Sequence, residues 1–146
     1  MKCASVSAYG NVDEVLSIQE RPRPNRGKGE MLVRVQACSL SPADTILMSG
    51  SVDKVMNPPS FPYVPGMDLC GVVEEVDQDE KNFKVGAILC ASKYAIHTYS
   101  YSREALLIYI IHRQLAHLKP AGITPVEAAA LPGSAASASW PLNSPA

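Results

Sequence analysis

The sequence predicts a mainly β fold with short helices, and three observations support this. First, apolar and polar residues alternate in MLVRVQA, the period of a β-strand, so that four residues share one face: Met31, Val33, Val35 and Ala37. Second, prolines and glycines interrupt the chain at short intervals, so no strand or helix can run far. Third, the helix-start signals precede only short segments.

The N-terminal segment predicts a β-hairpin followed by a loop. In EVLSIQE, Leu16 and Ile18 alternate with polar residues, and YGNVDE before it supplies a turn with glycine and asparagine. RPRPNRGKGE cannot hold a regular strand, because its two prolines lack the backbone N–H that a ladder needs. The strand MLVRVQA follows this loop.

A short helix is predicted next, in SLSPADTILMSG. Ser41 suits the N-cap, Pro42 the first helical position, and Asp44 the third position, near the positive end of the helix dipole. Gly50 can end this helix after about two turns. The proline-rich stretch VMNPPSFPYVPG then predicts an extended or turning loop.

The second half of the chain predicts further strands and one helix. DLCGVVEEV is predicted as a strand, and the polar turn DQDEKNFKVG leads to another. Residues 87–111 have no clean strand or helix period. In ITPVEAAAL, Thr124 and Glu127 form a capping box with Pro125 at the first helical position, so a helix should begin there. Residues 132–146 are small, polar and proline-bearing, which predicts a disordered tail.

Composition indicates one globular domain. Of 146 residues, 47% are hydrophobic and 18% charged, and the net charge of −1 comes without a basic cluster, which argues against nucleic acid as a partner. The longest apolar run, ALLIYII, is too short to span a membrane, and MKCASVSAYG lacks the apolar region of a secretory signal. The four scattered cysteines are interpreted as small buried hydrophobes. We therefore predict a cytoplasmic protein with no membrane partner.

Three stretches, in this order, carry a resemblance to a known family: GEMLVRVQACSLSPADTILMSG, FPYVPGMDLCGVVEEV and LAHLKPAGITPVEAAALP. The chain resembles the N-terminal, GroES-like (alcohol dehydrogenase-like) domain of the medium-chain dehydrogenase/reductase superfamily. It is most similar to the zinc-free, zeta-crystallin-like quinone oxidoreductases of that superfamily. The resemblance implies a partly open β-barrel with short helices over residues 1–131. It covers residues 1–86 and 114–131, and it sets residues 87–113 apart as an atypical segment.

The resemblance also implies an oxidoreductase that reduces quinones or α,β-unsaturated carbonyls with NADPH. In that family a Rossmann domain binds the cofactor on a glycine-rich turn. No G-x-G-x-x-G occurs in these residues. We therefore expect a truncated chain: an incomplete barrel without the Rossmann domain, without cofactor-binding residues, and inactive alone. Two alternatives stay open, a non-enzymatic barrel that acts through protein association, including homo-oligomers, and a zinc-dependent alcohol dehydrogenase-like domain.

The resemblance places two zinc-ligand positions of the alcohol dehydrogenases at Ser41 and Met67. A neutral serine and a thioether are poor ligands for Zn²⁺, so no zinc is expected. The three histidines are interpreted as surface or lining residues: His97, His112 and His117. The last two are expected on opposite faces of one extended segment.

Four residues are candidates for the wall of a substrate cleft: Ser41, Asp44, Met67 and Asp68. The resemblance places Asp44 at the floor of the cleft. Helix capping also explains an acid at this position, and this role is favoured over a catalytic one. Asp68 falls in PGMDLCGVV, which matches the family motif P-G-x-D-x-x-G-x-V. There, a carboxylate that accepts local backbone amides at the entry to a strand is favoured over an acid–base role. No catalytic residue is assigned.

Overall fold

The computed structural model describes residues 1–51, 61–92 and 108–139. These residues form seven strands: β1 (Lys2–Val6), β2 (Leu16–Glu20), β3 (Glu30–Ser39), β4 (Asp68–Glu75), β5 (Ile88–Ser92), β6 (Ile108–His112) and β7 (Ala116–Leu118). They also form four helices: α1 (Val12–Val15), α2 (Pro42–Ser49), α3 (Pro125–Ala129) and α4 (Pro132–Ser139).

The strands form one hairpin and one open sheet. β1 and β2 pair antiparallel, as the sequence predicted, and the single turn of α1 connects them. The other five strands form an antiparallel sheet in the order β6-β3-β4-β5-β7. Among the described residues this sheet does not close on itself, and β6 and β7 are its edges. The predicted mainly β, partly open architecture is therefore confirmed.

A β-bulge interrupts the pairing of β3 with β4. Val35 pairs with Gly71 and Ala37 with Cys70, so Gln36 is an extra residue on β3. One extra residue turns every later side chain to the other face of the sheet. The prediction that Ala37 shares a face with Val35 is therefore wrong, and Ala37 packs instead beside Cys70.

The two faces of the sheet bury different cores. One face carries large aliphatic side chains, among them Met31, Val33, Leu69, Val73, Leu89 and Ile111, and Phe83 from the connection between β4 and β5 packs with them. The opposite face carries Cys70 and Cys90, which pack beneath Ala128 and Ala129 of α3. A third cluster joins the hairpin to α2 and consists of Val6, Val15, Leu47, Met48 and Tyr63.

The starts of α2 and α3 follow their sequence signals. Ser41 occupies the N-cap of α2, which ends at Gly50 with φ of 75°, a left-handed conformation that favours glycine. At the start of α3, the Thr124 amide and hydroxyl donate to the Glu127 carboxylate at 2.7 and 2.8 Å. Both predicted helix starts are confirmed. In the part of the chain that the structure describes, no helix has the length and apolar character needed to span a bilayer.

The helix α4 contradicts the predicted disordered tail. Pro132–Ser139 are helical, with the proline at the first position, where its missing N–H costs nothing. The amide of Gly133 in its first turn is bound by Asp68, a contact 65 residues apart in sequence. That tertiary contact is invisible to local sequence patterns. Residues 140–146 lie outside the described residues.

Two strands occupy the ends of the segment that the sequence set apart at residues 87–113. β5 pairs with β4, and β6 pairs with β3, so both belong to the main sheet. A 3₁₀ turn (Arg113–Leu115) separates β6 from β7, so His112 and His117 lie on different strands at opposite edges of the sheet. The prediction of one extended segment is wrong here. His117 is exposed, as expected for a surface residue, and His97 lies outside the described residues.

Asp77 ties the loop after β2 to the end of β4. Its carboxylate accepts the Gly29 amide at 2.7 Å and pairs with the Arg26 guanidinium, which also donates to the Val76 carbonyl at 3.0 Å. The Gly29 hydrogen bond, followed by the hydrogen bond from Arg26, holds the pKa of Asp77 below its usual range.

Acid should weaken this tie. Because the folded pKa of Asp77 is depressed, its contribution to stability is present above the unfolded pKa of about 3.9 and is lost as pH falls through the folded pKa. We expect Asp77→Asn to lower the urea midpoint at neutral pH, and the difference from wild type to shrink in strong acid. Asp79→Asn, at an exposed neighbouring carboxylate, is the control and should change little. A difference for Asp77→Asn that does not vary with pH would contradict this assignment.

Candidate functional site

Asp44 joins two loops that are distant in sequence. Its side chain is buried at the start of α2, with the residue 4% exposed. Oδ2 accepts the Ser41 amide at 2.8 Å and the Ser41 hydroxyl at 3.0 Å, and Oδ1 accepts the Gly66 amide at 2.8 Å. Three donors hold this carboxylate in one geometry. Asp44 therefore fixes the start of α2 against the turn that leads into β4.

The turn at Gly66 can be occupied only by glycine. Its φ is 93°, which other residues rarely adopt, and an added Cβ would lie 2.5 Å from Cys38 Sγ and 3.3 Å from the Ser39 carbonyl oxygen. The turn is thus pressed against the end of β3. Met67 follows directly and is half-buried.

Asp68 starts β4 but binds a different part of the chain. It lies between Ser39 on β3 and the buried Ser92 on β5 in the register of the sheet. Its Oδ2 accepts the Gly133 amide at 3.0 Å. The buried Oδ1 has no hydrogen-bond partner among the described residues.

The predicted role of Asp68 therefore needs correction. The sequence assigned it the local amides at the entry to β4, but that role belongs to Asp44, which binds Gly66 from 22 residues away. Asp68 instead holds the first turn of α4 against the sheet. An alanine at Gly133 would bring its Cβ to 2.5 Å from Asp68 Oδ2, so the approach is close.

The four predicted cleft residues thus lie in two connected groups. Ser41 and Asp44 contact each other, and Asp44 contacts the residue before Met67. Asp68 follows Met67 and binds α4. Sequence reasoning missed Gly133 as a partner of Asp68. The local signal for it was Pro132, which suits the first position of a helix, followed directly by glycine.

Among the described residues, this site holds neither a cluster of metal ligands nor a thiol with a lowered pKa. No group of three or more possible metal-ligating side chains occurs within residues 1–51, 61–92 and 108–139. Burial raises the pKa of the Cys70 and Cys90 thiols, which keeps them protonated and weakly nucleophilic at neutral pH. The interpretation of Cys70 as a packing residue agrees with its complete burial.

Comparison with known families identifies the fold. The family model described as the alcohol dehydrogenase GroES-like domain matches residues 27–109. The chain belongs to this family. It is therefore a GroES-like domain of the medium-chain dehydrogenase/reductase superfamily, as the sequence motifs indicated. The match continues past residue 86, where the resemblance was expected to stop, and includes β5 and part of β6.

Individual relatives of this GroES-like domain include quinone oxidoreductases. The chloroplastic quinone-oxidoreductase QR1 of Triphysaria versicolor is 38% identical over 86 residues, which are 59% of this chain and 26% of the relative. The synaptic vesicle membrane protein VAT-1 homolog of Danio rerio is 32% identical over 128 residues, 87% of this chain and 24% of the relative. The chain therefore spans about a quarter of the length of the curated relatives it matches.

A solved structure has the same fold over nearly the whole chain. A mycobacterial protein in complex with NADPH superposes with a TM-score of 0.79 and 25% identity, covering 99% of this chain and 40% of the mycobacterial one. The GroES-like domain thus corresponds to a part of that larger protein.

Proposed function

We propose that this GroES-like domain forms the substrate side of a zinc-independent, NADPH-dependent oxidoreductase that reduces quinones or α,β-unsaturated carbonyls. The observation that carries the proposal is the junction built by Asp44. It locks together the loops that bear Ser41 and Met67, and neither side chain offers the thiolate, imidazole or carboxylate that Zn²⁺ prefers. The quinone oxidoreductases among the relatives support the substrate class.

Zinc does not fit the residues at this junction. The donors that Zn²⁺ prefers are thiolate, imidazole and carboxylate. Here the carboxylate of Asp44 is already bound by two amides and a hydroxyl, and the neighbouring side chains offer a neutral hydroxyl and a thioether. The zinc-dependent alternative would need the Asp44 hydrogen bonds to break, with the loss of the turn at Gly66.

The described helices do not offer a site for the phosphates of NADPH. A free helix N-terminus attracts anions, but an acid near it repels them. α2 begins with the bound carboxylate of Asp44, and α3 with that of Glu127. α1 has Asp13 in its first turn, and α4 has its Gly133 amide bound to Asp68. In the proposal, the cofactor phosphates are therefore held by residues other than these four helix starts.

The role left to this domain is to shape the cleft. NADPH supplies the hydride when bound, and enzymes of this kind need the protein chiefly to orient the reactants and to exclude water. A rigid wall at Ser41, Asp44, Met67 and Asp68 suits that task. A cytoplasmic location and homo-oligomer formation stay predictions.

The proposal predicts that the chain binds a quinone but neither NADPH nor zinc. The quinone used is duroquinone, because its four methyl groups block the ring carbons that thiols attack. We expect saturation-transfer NMR signals from duroquinone, no change in NADPH fluorescence on mixing, and zinc well below one atom per chain by elemental analysis. Absence of quinone binding would contradict the substrate class. Tight NADPH binding or stoichiometric zinc would contradict the other two parts.

A further inference from the structure

Cys70 and Cys90 lie directly opposite each other on β4 and β5. Their side chains point to the same face of the sheet, beneath α3, where they contact Ala128 and Ala129. Both are free thiols in the structure, with Cys70 fully buried and Cys90 7% exposed. On the described strands, no other two cysteines lie opposite each other; Cys3, for instance, lies opposite Gln19.

The hydrogen-bond pattern places this pair in the closer of the two antiparallel arrangements. The Val73 amide donates to the Ala87 carbonyl, and hydrogen-bonded pairs alternate with non-hydrogen-bonded ones along the ladder. Val73 and Ala87 are thus a hydrogen-bonded pair. Cys70 lies three positions before Val73 on β4, so Cys70 and Cys90 form a non-hydrogen-bonded pair. The pairing of β5 with β7 supports the same conclusion. The Ile88 carbonyl accepts the Lys119 amide and thus faces β7 rather than β4, and the backbone of Cys90, two residues further along β5, faces the same way.

Such a pair meets the geometric demands of a disulfide. Opposite Cα atoms in a non-hydrogen-bonded pair are about 4.5 Å apart, against about 5.5 Å in a hydrogen-bonded pair. Disulfides span Cα distances of about 4.4–6.8 Å. The two strands can therefore be linked without moving the backbone far.

We propose that Cys70 and Cys90 are an oxidation site of the domain and form a cross-strand disulfide on exposure to a hydroperoxide. The thiolate of one cysteine attacks one oxygen of hydrogen peroxide and the O–O bond breaks, which gives a sulfenic acid and a hydroxide ion that takes a proton from solvent. The second thiol then displaces water from that sulfur and forms the S–S bond. The two cysteines lose two electrons in total, which the peroxide accepts. Cys90 reacts first because it is the more exposed of the two.

Access to the pair depends on α3. This helix is five residues long and covers the cysteines with two alanines, so little apolar area is exposed when it lifts. High thiol pKa values also slow the first step. The site should thus respond to sustained peroxide and stay reduced otherwise.

Peptide mapping after treatment with hydrogen peroxide tests the proposal. Trypsin places the four cysteines on four separate peptides, with Cys70 in residues 55–81 and Cys90 in residues 85–93. From the folded chain we expect the linked 70–90 peptide to be the main disulfide, several-fold enriched over the chain oxidised in denaturing urea. Dithiothreitol should reverse it, and the oxidised protein should melt several degrees higher.

Two variants serve as controls. Cys3→Ser replaces a buried cysteine that lies opposite Gln19 in the hairpin and should leave the yield of the 70–90 peptide unchanged. Cys90→Ala should abolish that peptide. If folding suppresses the 70–90 link, or if Cys3 or Cys38 takes its place, the proposal is overturned.

Discussion

Replacing Asp44 with alanine should lower the free energy of unfolding by about 3 kcal/mol, because it leaves buried donors without an acceptor. The buried Gly66 amide and the half-buried Ser41 amide both lose their carboxylate partner, and water cannot easily reach the Gly66 amide. The loop before β4 should then detach from the start of α2. Urea denaturation followed by circular dichroism measures the change.

Two further variants sharpen this prediction. Asp44→Asn keeps the size of the side chain, but its NH₂ group would face either the Ser41 amide or the Gly66 amide, both of which are donors. This variant should therefore also destabilise the fold strongly. Asp13→Ala is the matched control: an exposed acid in the first turn of α1, it should change stability by about 0.5 kcal/mol. Equal effects of the Asp44→Ala and Asp13→Ala substitutions would mean that Asp44 acts only through the helix dipole.

Replacing Gly71 with alanine should destabilise the sheet by about 3 kcal/mol, at the upper end of the usual cost of overpacking. The added Cβ would lie 2.5 Å from the Arg34 carbonyl oxygen and 2.7 Å from Val33 Cγ1. A backbone carbonyl cannot rotate away as a side chain can, so β3 and β4 would have to separate. Differential scanning calorimetry should show a large drop in Tm.

Gly27→Ala is the control for this substitution. Its added Cβ would meet the Glu30 carboxylate at 3.0 Å, but that carboxylate is the far end of a flexible side chain in an exposed loop. Its effect should be small. A small effect at Gly71 as well would show that the strands are less closely packed than the structure indicates.

Local sequence patterns predicted those elements whose signals are local. The alternation around Val33 located β3, and the caps at Ser41 and Thr124 located the starts of α2 and α3, because each cap acts within its own first turn. The glycine at residue 50 likewise marked the end of α2.

Features that depend on tertiary contacts were not predicted. The bulge at Gln36 shifts β3 against β4 and moves Ala37 to the other face, and nothing in the alternation of residues announces it. The helix α4 has a composition that also suits a flexible tail, and its first turn is held by Asp68 across the sheet.

In the candidate site, too, local patterns predicted which residues take part but not all of their tertiary contacts. Sequence motifs selected Ser41, Asp44, Met67 and Asp68, and they correctly favoured helix capping for Asp44, but they assigned the local amides at the entry to β4 to Asp68. Asp44 captures the amide of the glycine turn, while Asp68 reaches a helix that the motif does not contain. A motif gives the residue types at fixed spacing, and only the fold decides which distant amide each carboxylate meets.

Amide NMR of the ¹⁵N-labelled chain titrated with duroquinone tests most directly the proposal that the wall built around Asp44 faces a quinone. We predict that the largest shifts occur at the amides of Ser41, Asp44, Gly66, Met67 and Asp68, without added metal or NADPH. Shifts confined to the edge strands β6 and β7, or no shifts at all, would contradict the assignment of this surface as the substrate side of the domain.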